Sequence, residues 1–443
     1  MAQPTTYTIP TTKVYRTPDG AQSIRWTAGT VISYAQALRF GLVPALDPEP
    51  STESQILEHG PLGSGSVTRA ALAPDVRAAV ANGARRGNRV VPLGNSIIAS
   101  SGSGTSYPVA GWIGKLAMIS GGRVRLVGWA AQGGAKTADL LARFDVDVAP
   151  QRPDYVIVQE ITNDATASSG VTFAQTKANL IAIWEKCDAI GALPIQIGPP
   201  PKSADMAEVT RRATWCREAC RDRGIPYVDI MPPLINPETG AMQAAYTSDG
   251  THPNDAGSQI IADTVWSAIA PLFPAEGAVA LPLWNGDPTN LIPNGLFADT
   301  NADGLADGLT KNGVFTPSIV AGSGDVVGNW QVFGGISGGA YLSFVIATGF
   351  SSGDRLLFSG RADIKSTSTS GFPSIRIGFG SLGNIAASFG SFTSDINGVF
   401  ATEVVVPPDA SQLYAVAFLG VLETNEVRIA QWSIRNLTAL GLA

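Results

Sequence analysis

The sequence predicts an α/β domain on a parallel sheet, preceded by an N-terminal extension and followed by an antiparallel β-sandwich. From residue 88 to about 274, short apolar runs alternate with helical segments, whereas period-two strands dominate after residue 290. The 443 residues are 44% apolar and only 15% charged, which is enough apolar material for more than one core. We therefore predict three segments, 1–80, 81–275 and 288–443.

Five apolar runs in the middle segment predict buried parallel strands, because strands covered on both faces read as continuous hydrophobic runs. Helices between them predict a three-layer α/β/α arrangement, in which ligands bind outside the carboxyl ends of the strands. The runs are Arg89–Leu93, Val124–Trp129, Tyr155–Gln159, Leu193–Ile197 and Tyr227–Ile230, and the helices include Thr172–Ile190, Ala204–Arg223 and Asp255–Ala270.

The last segment alternates apolar and polar residues in short runs separated by Gly, Ser, Asn and Pro, which predicts a jelly-roll-like antiparallel sandwich. The predicted strands are Tyr341–Ile346, Arg355–Ser359, Ser374–Phe379, Phe400–Val406, Tyr414–Leu419 and Val427–Ile434.

The front of the chain reads as β-like runs, a short helix at 33–41, a Gly/Ser linker at 60–67 and a helix at 70–83. Such a segment suits either an arm that docks onto a larger assembly or an extension packed on its own chain. It has no basic and apolar leader, and the chain has no apolar stretch long enough to span a bilayer, so we expect cytoplasmic synthesis without a signal peptide.

Charge and cysteine content narrow the function classes. The net charge is −6, and the densest basic cluster is Arg85, Arg86 and Arg89, which argues against a nucleic-acid partner. The three cysteines fall in helical segments and predict free thiols rather than a disulfide framework.

Gly94-Asn95-Ser96 follows the first apolar run directly. A serine at such a strand-to-helix turn exposes its hydroxyl where a helix N-terminus favours negative charge. Taken alone, the same triplet is also typical of a turn or a helix cap.

Asp249 and His252 lie three residues apart, just before the last predicted helix. Imidazole is the usual base for a serine nucleophile, and a carboxylate can hold its tautomer. The chain has only two histidines, and His59 falls in the linker region. His252 is therefore the candidate base, the alternative being a helix-capping role.

Two further loops follow strands. Asn163, in Gln159-Glu160-Ile161-Thr162-Asn163-Asp164, could donate a hydrogen bond to an oxyanion. Gly134, in the loop after the second strand, allows a backbone N–H to approach a substrate. Each loop alone is also typical of an ordinary turn.

Taken in order, these motifs resemble the blocks of the SGNH/GDSL hydrolase family over about residues 88–273. The family's Gly-Asp-Ser is matched by residues 94–96 with Asn95 in place of aspartate, and its Gly-x-Asn-Asp by residues 161–164 with Ile161 in place of glycine. Its second-block glycine is matched by Gly134, and its Asp-x-x-His by Asp249 and His252.

The resemblance implies a serine esterase that requires no cofactor. Ser96 would be the nucleophile, His252 the base and Asp249 its orienting carboxylate. The Ser96 and Gly134 N–H groups and the Asn163 amide would form the oxyanion hole. The two departures, Asn95 and Ile161, leave each of these groups in place.

The last segment opens at 290–297 in a way that resembles carbohydrate-binding and phage-appendage sandwiches. Asp299, Asn301, Asp303 and Asp307 resemble the start of a calcium loop, although Thr310 stands where a closing glutamate is usual, so an acidic turn is the alternative. Trp330 could stack on a sugar or belong to the core.

An esterase fused to such a sandwich, without a leader, resembles a phage virion protein. We expect hydrolysis of O-acetyl groups on a cell-surface polysaccharide, with the N-terminal arm contacting virion proteins and with a homo-oligomer left open. The alternatives are an esterase acting on lipid or cell-envelope acyl esters, and an inactive glycan-adhesion protein. No membrane span or metal is required in any of them.

Overall fold

The computed structural model describes two compact units, Met1–Val67 and Thr68–Ala443. In the first unit, strand β1 (Thr6–Thr8) pairs antiparallel with β4 (Val31–Ser33), and β2 (Lys13–Arg16) pairs antiparallel with β3 (Ser23–Trp26). The helices predicted at 33–41 and 70–83, the linker at 60–67 and His59 lie outside the described residues. These are 6–8, 13–16, 23–26, 31–33, 87–99, 108–109, 111–274, 279–335, 339–366, 373–390, 395–420 and 425–442.

A parallel sheet organises the first half of the second unit. Its strands are β5 (Arg89–Gly94), β7 (Arg125–Leu126), β8 (Ala130–Ala131), β9 (Tyr155–Gln159), β10 (Leu193–Ile197) and β11 (Tyr227–Val228), whereas β6 (Pro108–Val109) pairs elsewhere. The order is β11-β10-β9-β5-β7, with β8 also paired to β5. These parallel pairings confirm the predicted α/β class.

Six α-helices are described in this half: α1 (Ser96–Ala99), α2 (Gly111–Ile119), α3 (Thr137–Arg143), α4 (Phe173–Ala189), α5 (Met206–Arg223) and α6 (Asp255–Ile269). Helix α4 begins within one residue of the predicted start because Thr172 and Gln175 form a capping box, in which the Thr172 side chain accepts from the Gln175 N–H at 3.2 Å. Among the described residues, no helix is long and apolar enough to cross a membrane.

Strand residues alternate between two buried clusters. Tyr155 and Ile157 point into a cluster shared with α2 and α6, whereas Val156 and Val158 point into one shared with α3, α4 and α5. The alternation fixes the strand register, because a slip of one residue would exchange the two faces. The first cluster continues into the C-terminal half, with Phe344 and Trp432 among its members.

The C-terminal half adds antiparallel strands to the same sheet and forms a second sheet. The strands are β12 (Thr310–Asn312), β13 (Ser318–Ala321), β14 (Asn329–Gly334), β15 (Ala340–Ile346), β16 (Arg355–Lys365), β17 (Ser374–Phe379), β18 (Ile385–Gly390), β19 (Ile396–Val405), β20 (Leu413–Gly420) and β21 (Glu426–Asn436). The first sheet continues as β7-β19-β16-β21-β14-β13, and the second has the order β12-β15-β20-β17-β18-β6.

Within the first sheet the two halves join at the bridged pair of Leu126 on β7 and Thr402 on β19, where the Thr402 hydroxyl donates to the Leu126 carbonyl at 3.2 Å. In the second sheet β6 pairs parallel with β18. Beside Thr402 lies Glu403, whose side chain is fully buried. Three arginines converge on its carboxylate: Arg89, Arg125 at 3.5 Å and Arg355 at 3.4 Å. The three-layer arrangement, the jelly-roll topology and the segment boundaries stay predictions.

Candidate active site

Ser96 is the first residue of α1 and follows β5 after a single residue, Asn95. The buried Asn95 shapes the turn: its carbonyl oxygen accepts from the Ala99 N–H at 2.9 Å, and its side-chain oxygen accepts from the Ile97 N–H at 2.8 Å. Because β5 ends at Gly94, Ser96 stands at the carboxyl edge of the parallel sheet, where it is half-buried. The strand-to-turn-to-helix geometry that the sequence predicts is confirmed.

His252 brings its ring to this serine across 156 residues of sequence. Its Nε2 lies 2.9 Å from the Ser96 Oγ, and its Nδ1 lies 2.6 Å from the Asp249 Oδ2. The three side chains therefore form one hydrogen-bonded line, with the ring between the hydroxyl and the carboxylate. An ionised carboxylate can only accept, so Nδ1 donates to Asp249 when Asp249 is ionised, and Nε2 is then left to accept from the Ser96 hydroxyl.

The Asp249 carboxylate is held by the loop that carries His252. Its Oδ1 accepts from the N–H groups of Thr251 at 2.9 Å and His252 at 2.7 Å. Partial desolvation raises the pKa of Asp249, but the hydrogen bonds from the His252 ring and from these amides outweigh it and hold the pKa well below its usual range. Asp249 therefore stays ionised when the imidazole accepts a proton.

Thr247 closes the same loop and was not predicted from the sequence. Its hydroxyl donates to the His252 carbonyl at 2.7 Å and accepts from the Gly250 N–H at 3.0 Å. Asn254 then caps α6, its side-chain oxygen accepting from the Gly257 N–H at 3.0 Å. The loop from Thr247 to Asn254 is thus fixed at both ends, although the side chains of Asp249 and His252 are 50% and 47% exposed.

The Asn163 turn lies beside the Gly134 loop. The Asn163 Nδ2 donates to the Ala135 carbonyl at 2.8 Å, which ties the two candidate oxyanion segments together. Gly134 has φ +74°, a left-handed conformation that a residue with a side chain would strain, although the space where a Cβ would stand is open. Ile161 is only 1% exposed and packs in the cluster with α3 and α4, so its side chain belongs to the core.

A buried network that sequence reasoning missed holds this pair of loops. The Asp164 carboxylate accepts from the Thr137 N–H at 3.0 Å and from the hydroxyls of Thr137 and Thr176, both at 2.6 Å. Arg212, which is buried on α5, donates to the hydroxyl of Thr176 on α4. Asp164 therefore fixes the start of α3, immediately after the Gly134 loop, relative to Asn163.

Three carboxylates of the acidic loop at 299–307 accept hydrogen bonds from groups of the same loop, although the Oδ1 of Asp299 is buried without a hydrogen-bond partner among the described residues. Asp299 accepts from the Gly304 N–H at 2.9 Å, Asp303 from the Leu305 N–H at 2.8 Å, and Asp307 from the Thr300 hydroxyl at 2.8 Å. Over the described residues, no group of three or more His, Cys, Asp or Glu side chains is placed to hold a metal ion. A calcium site in this loop stays a prediction from the sequence.

Trp330 is half-buried within β14. Its contact with sugar stays a prediction.

Comparison with known families identifies the segment that carries the site. Residues 93–260 match the model of the GDSL-like Lipase/Acylhydrolase family. The chain contains a hydrolase domain of the SGNH/GDSL type. It is accordingly a serine ester hydrolase of that type, and the predicted enzyme class is confirmed.

Two solved structures match less than half of the chain. A GDSL-like lipase of Bacteroides thetaiotaomicron has 21% identity and a TM-score of 0.36, covering 44% of this chain and 96% of its own. An acetylxylan esterase of Geobacillus stearothermophilus has 18% identity and a TM-score of 0.36, covering 41% of this chain and 94% of its own. At these values neither likeness assigns a substrate. Comparison with curated protein sequences gives no match.

Proposed function

We propose that Ser96, His252 and Asp249 are the catalytic residues of this ester hydrolase. The observation that carries the proposal is the continuous hydrogen-bonded line from the Ser96 Oγ through His252 to Asp249, with distances of 2.9 and 2.6 Å. The first distance is within the range for proton transfer from a serine to an imidazole, and the second is that of a hydrogen bond that orients the ring.

In the proposed reaction, the Ser96 Oγ attacks the ester carbonyl while His252 Nε2 takes its proton. The tetrahedral oxyanion lies against the N–H groups of Ser96 and Gly134 and the Asn163 amide. The carbonyl re-forms, the C–O bond to the alcohol breaks, and His252 protonates the departing oxygen. Water, deprotonated by His252, then attacks the acyl carbon. The bond from that carbon to the Ser96 Oγ breaks, His252 returns its proton to Oγ, and the carboxylic acid leaves.

We propose an O-acetylated polysaccharide of a cell surface as the substrate class. Asp249 and His252 are about half exposed, so a bulky hydrated polymer can reach Ser96. A long acyl chain would instead favour a deep apolar channel that covers its methylene groups. The assignment to a virion, with the N-terminal arm as the attachment segment, rests on the order of the segments in the sequence.

Hydrolysis of p-nitrophenyl acetate by the wild type and by Ser96→Ala and His252→Ala variants tests the residues. We expect each variant to lose about 10⁴- to 10⁶-fold in kcat, because the remaining groups cannot activate the hydroxyl. Ser169→Ala is the matched control, since it removes a hydroxyl that donates to the Asp164 carbonyl at 2.9 Å, within its own loop. Equal activity in the wild type and both active-site variants would contradict the proposal.

The substrate class is tested with the same proteins on acetylated polysaccharides and on esters of increasing acyl length. Release of acetate from the polysaccharide, with kcat/KM falling as the acyl chain lengthens, is expected. Higher kcat/KM on long-chain esters would favour the lipid alternative. Binding to glycan by a protein without any hydrolysis would favour the adhesion alternative.

A further inference from the structure

One buried side chain, Glu160, joins the turn that presents Ser96 to the turn that presents Asn163. Its Oε1 accepts from the N–H groups of Asn163 and Asp164, each at 2.9 Å. Its Oε2 accepts from the side-chain amide of Asn95. Glu160 and Asn95 are both fully buried, so water does not compete for these hydrogen bonds.

Asn95 meets two different demands with its two side-chain atoms. Its oxygen accepts from the Ile97 N–H at 2.8 Å, and its nitrogen donates to Glu160. An aspartate could meet the first demand but would bring a second carboxyl against the first. Burial, followed by the negative charge of Asp164, raises the pKa of Glu160 to about 8, so this pocket already disfavours one carboxylate.

We propose that Glu160 is a positioning residue for ester hydrolysis and that Asn95 is its matched partner. The proposal rests on the proposed function of Ser96 and Asn163. Glu160 reaches the reaction only through the two turns, because it is enclosed behind them. The asparagine at position 95, where the family usually has aspartate, is thus a requirement of the glutamate at position 160.

A double-mutant cycle with Asn95→Asp, Glu160→Gln and the double variant tests the pairing. In Asn95→Asp two acceptors meet once Glu160 is ionised, above about pH 8, and in Glu160→Gln two donors meet. In the double variant the amide introduced at position 160 would donate to the carboxylate introduced at position 95, which reverses the polarity of the bond. The remaining oxygens still accept from the N–H groups of Ile97 and Asn163, so each donor and each acceptor has a partner again.

We expect each single variant to lose about 10- to 100-fold in kcat with little change in KM, and the double variant to recover most of the loss. Asn236→Asp is the matched control, because the Asn236 side-chain oxygen likewise accepts from backbone N–H groups, those of Glu238 at 2.9 Å and Thr239 at 3.2 Å. That variant should keep the wild-type kcat.

Urea unfolding of the same proteins separates the possible failures. Losses in kcat that multiply in the double variant overturn the pairing, and unchanged kcat in folded but less stable single variants overturns the positioning role. A wild type without esterase activity overturns the proposed function. The pairing is then decided by the unfolding free energies alone, which must be non-additive in the double variant to support it.

Discussion

The candidate active site and the junction between the two halves each hold a carboxylate that accepts hydrogen bonds from several donors, but the two arrangements differ in what they can do. Asp249 is half exposed and is held by two backbone amides and a histidine ring. Glu403 is buried among three arginines. An imidazole can exchange its proton near neutral pH, whereas a guanidinium cannot. The first arrangement can perform proton transfer, and the second can only hold strands together.

Replacing Asp249 by asparagine should give the largest effect on activity among the changes that leave Ser96 and His252 in place. We expect kcat on p-nitrophenyl acetate to fall about 10⁴-fold, because an amide no longer fixes the tautomer or stabilises the imidazolium. The folded structure should persist, as judged by circular dichroism. A loss below about tenfold would show that Asp249 is not the orienting carboxylate.

The same variant tests the pH dependence of stability. The pKa of Asp249 is lowered in the folded chain, so its contribution is present above the usual pKa of a free aspartate, about 3.9, and is lost as the pH falls below it. The difference in urea midpoint between the wild type and Asp249→Asn should therefore narrow between about pH 5 and pH 3. A constant difference would contradict the lowered pKa.

Asn163→Ala should lower kcat by about 10²- to 10³-fold through loss of one oxyanion donor. Asn179→Ala is the matched control: its amide donates to the Thr137 hydroxyl at 3.0 Å, close to the same loop, but we assign it no contact with substrate. Equal losses in the two variants would mean that both amides merely support the loop.

Unlike the variants at the candidate active site, Glu403→Gln should lower the stability of the protein without changing kcat. We expect a loss of about 3 kcal/mol in the free energy of unfolding, because three arginines lose the charge that they share. Glu426→Gln is the control, since Glu426 is 37% exposed and pairs with Arg428 at the surface. A fall in kcat of the folded Glu403→Gln protein would mean that the junction also acts on the site.

Thr172→Ala should give the smallest effect, about 1 kcal/mol in the free energy of unfolding, because it removes the N-cap of α4. Thr214→Ala, within α5, removes a hydroxyl that donates to the Thr210 carbonyl and should cost less. Urea unfolding of both variants measures the difference. A larger loss for Thr214→Ala would contradict the capping role.

Local signals explain what the sequence could predict. The bounds of β9 and β10 match the predicted runs, since buried parallel strands are continuously apolar. The sequence predicts that strand β16 ends at Ser359, because Gly360 reads as a turn, but the strand continues to Lys365. A Cβ at Gly360 would lie 2.3 Å from the Trp432 ring, so this glycine makes room for a tryptophan far along the chain.

Contacts between residues far apart in the chain explain what the sequence could not predict. Ser96, Asp249 and His252 could be singled out because their motifs are short and ordered along the chain. Glu160 lies 65 residues from Asn95, and its role depends on burial that no local pattern reports. The contact between Asp164 and Thr137 likewise spans 27 residues. The one signal in the sequence for a role of Glu160 was its position as a charged residue directly after the apolar run 155–159.

The junction at Leu126 and Thr402 has a consequence for recombining this protein with others. Strand β7 is two residues long, and its outer side is covered by β19. A hydrolase cut out near residue 275 would present an open sheet edge and the uncovered arginines Arg89 and Arg125, which invites aggregation. A replacement for the C-terminal half must therefore supply a strand beside β7 with a glutamate in the register of Glu403. A chimaera whose C-terminal half lacks such a strand should be insoluble.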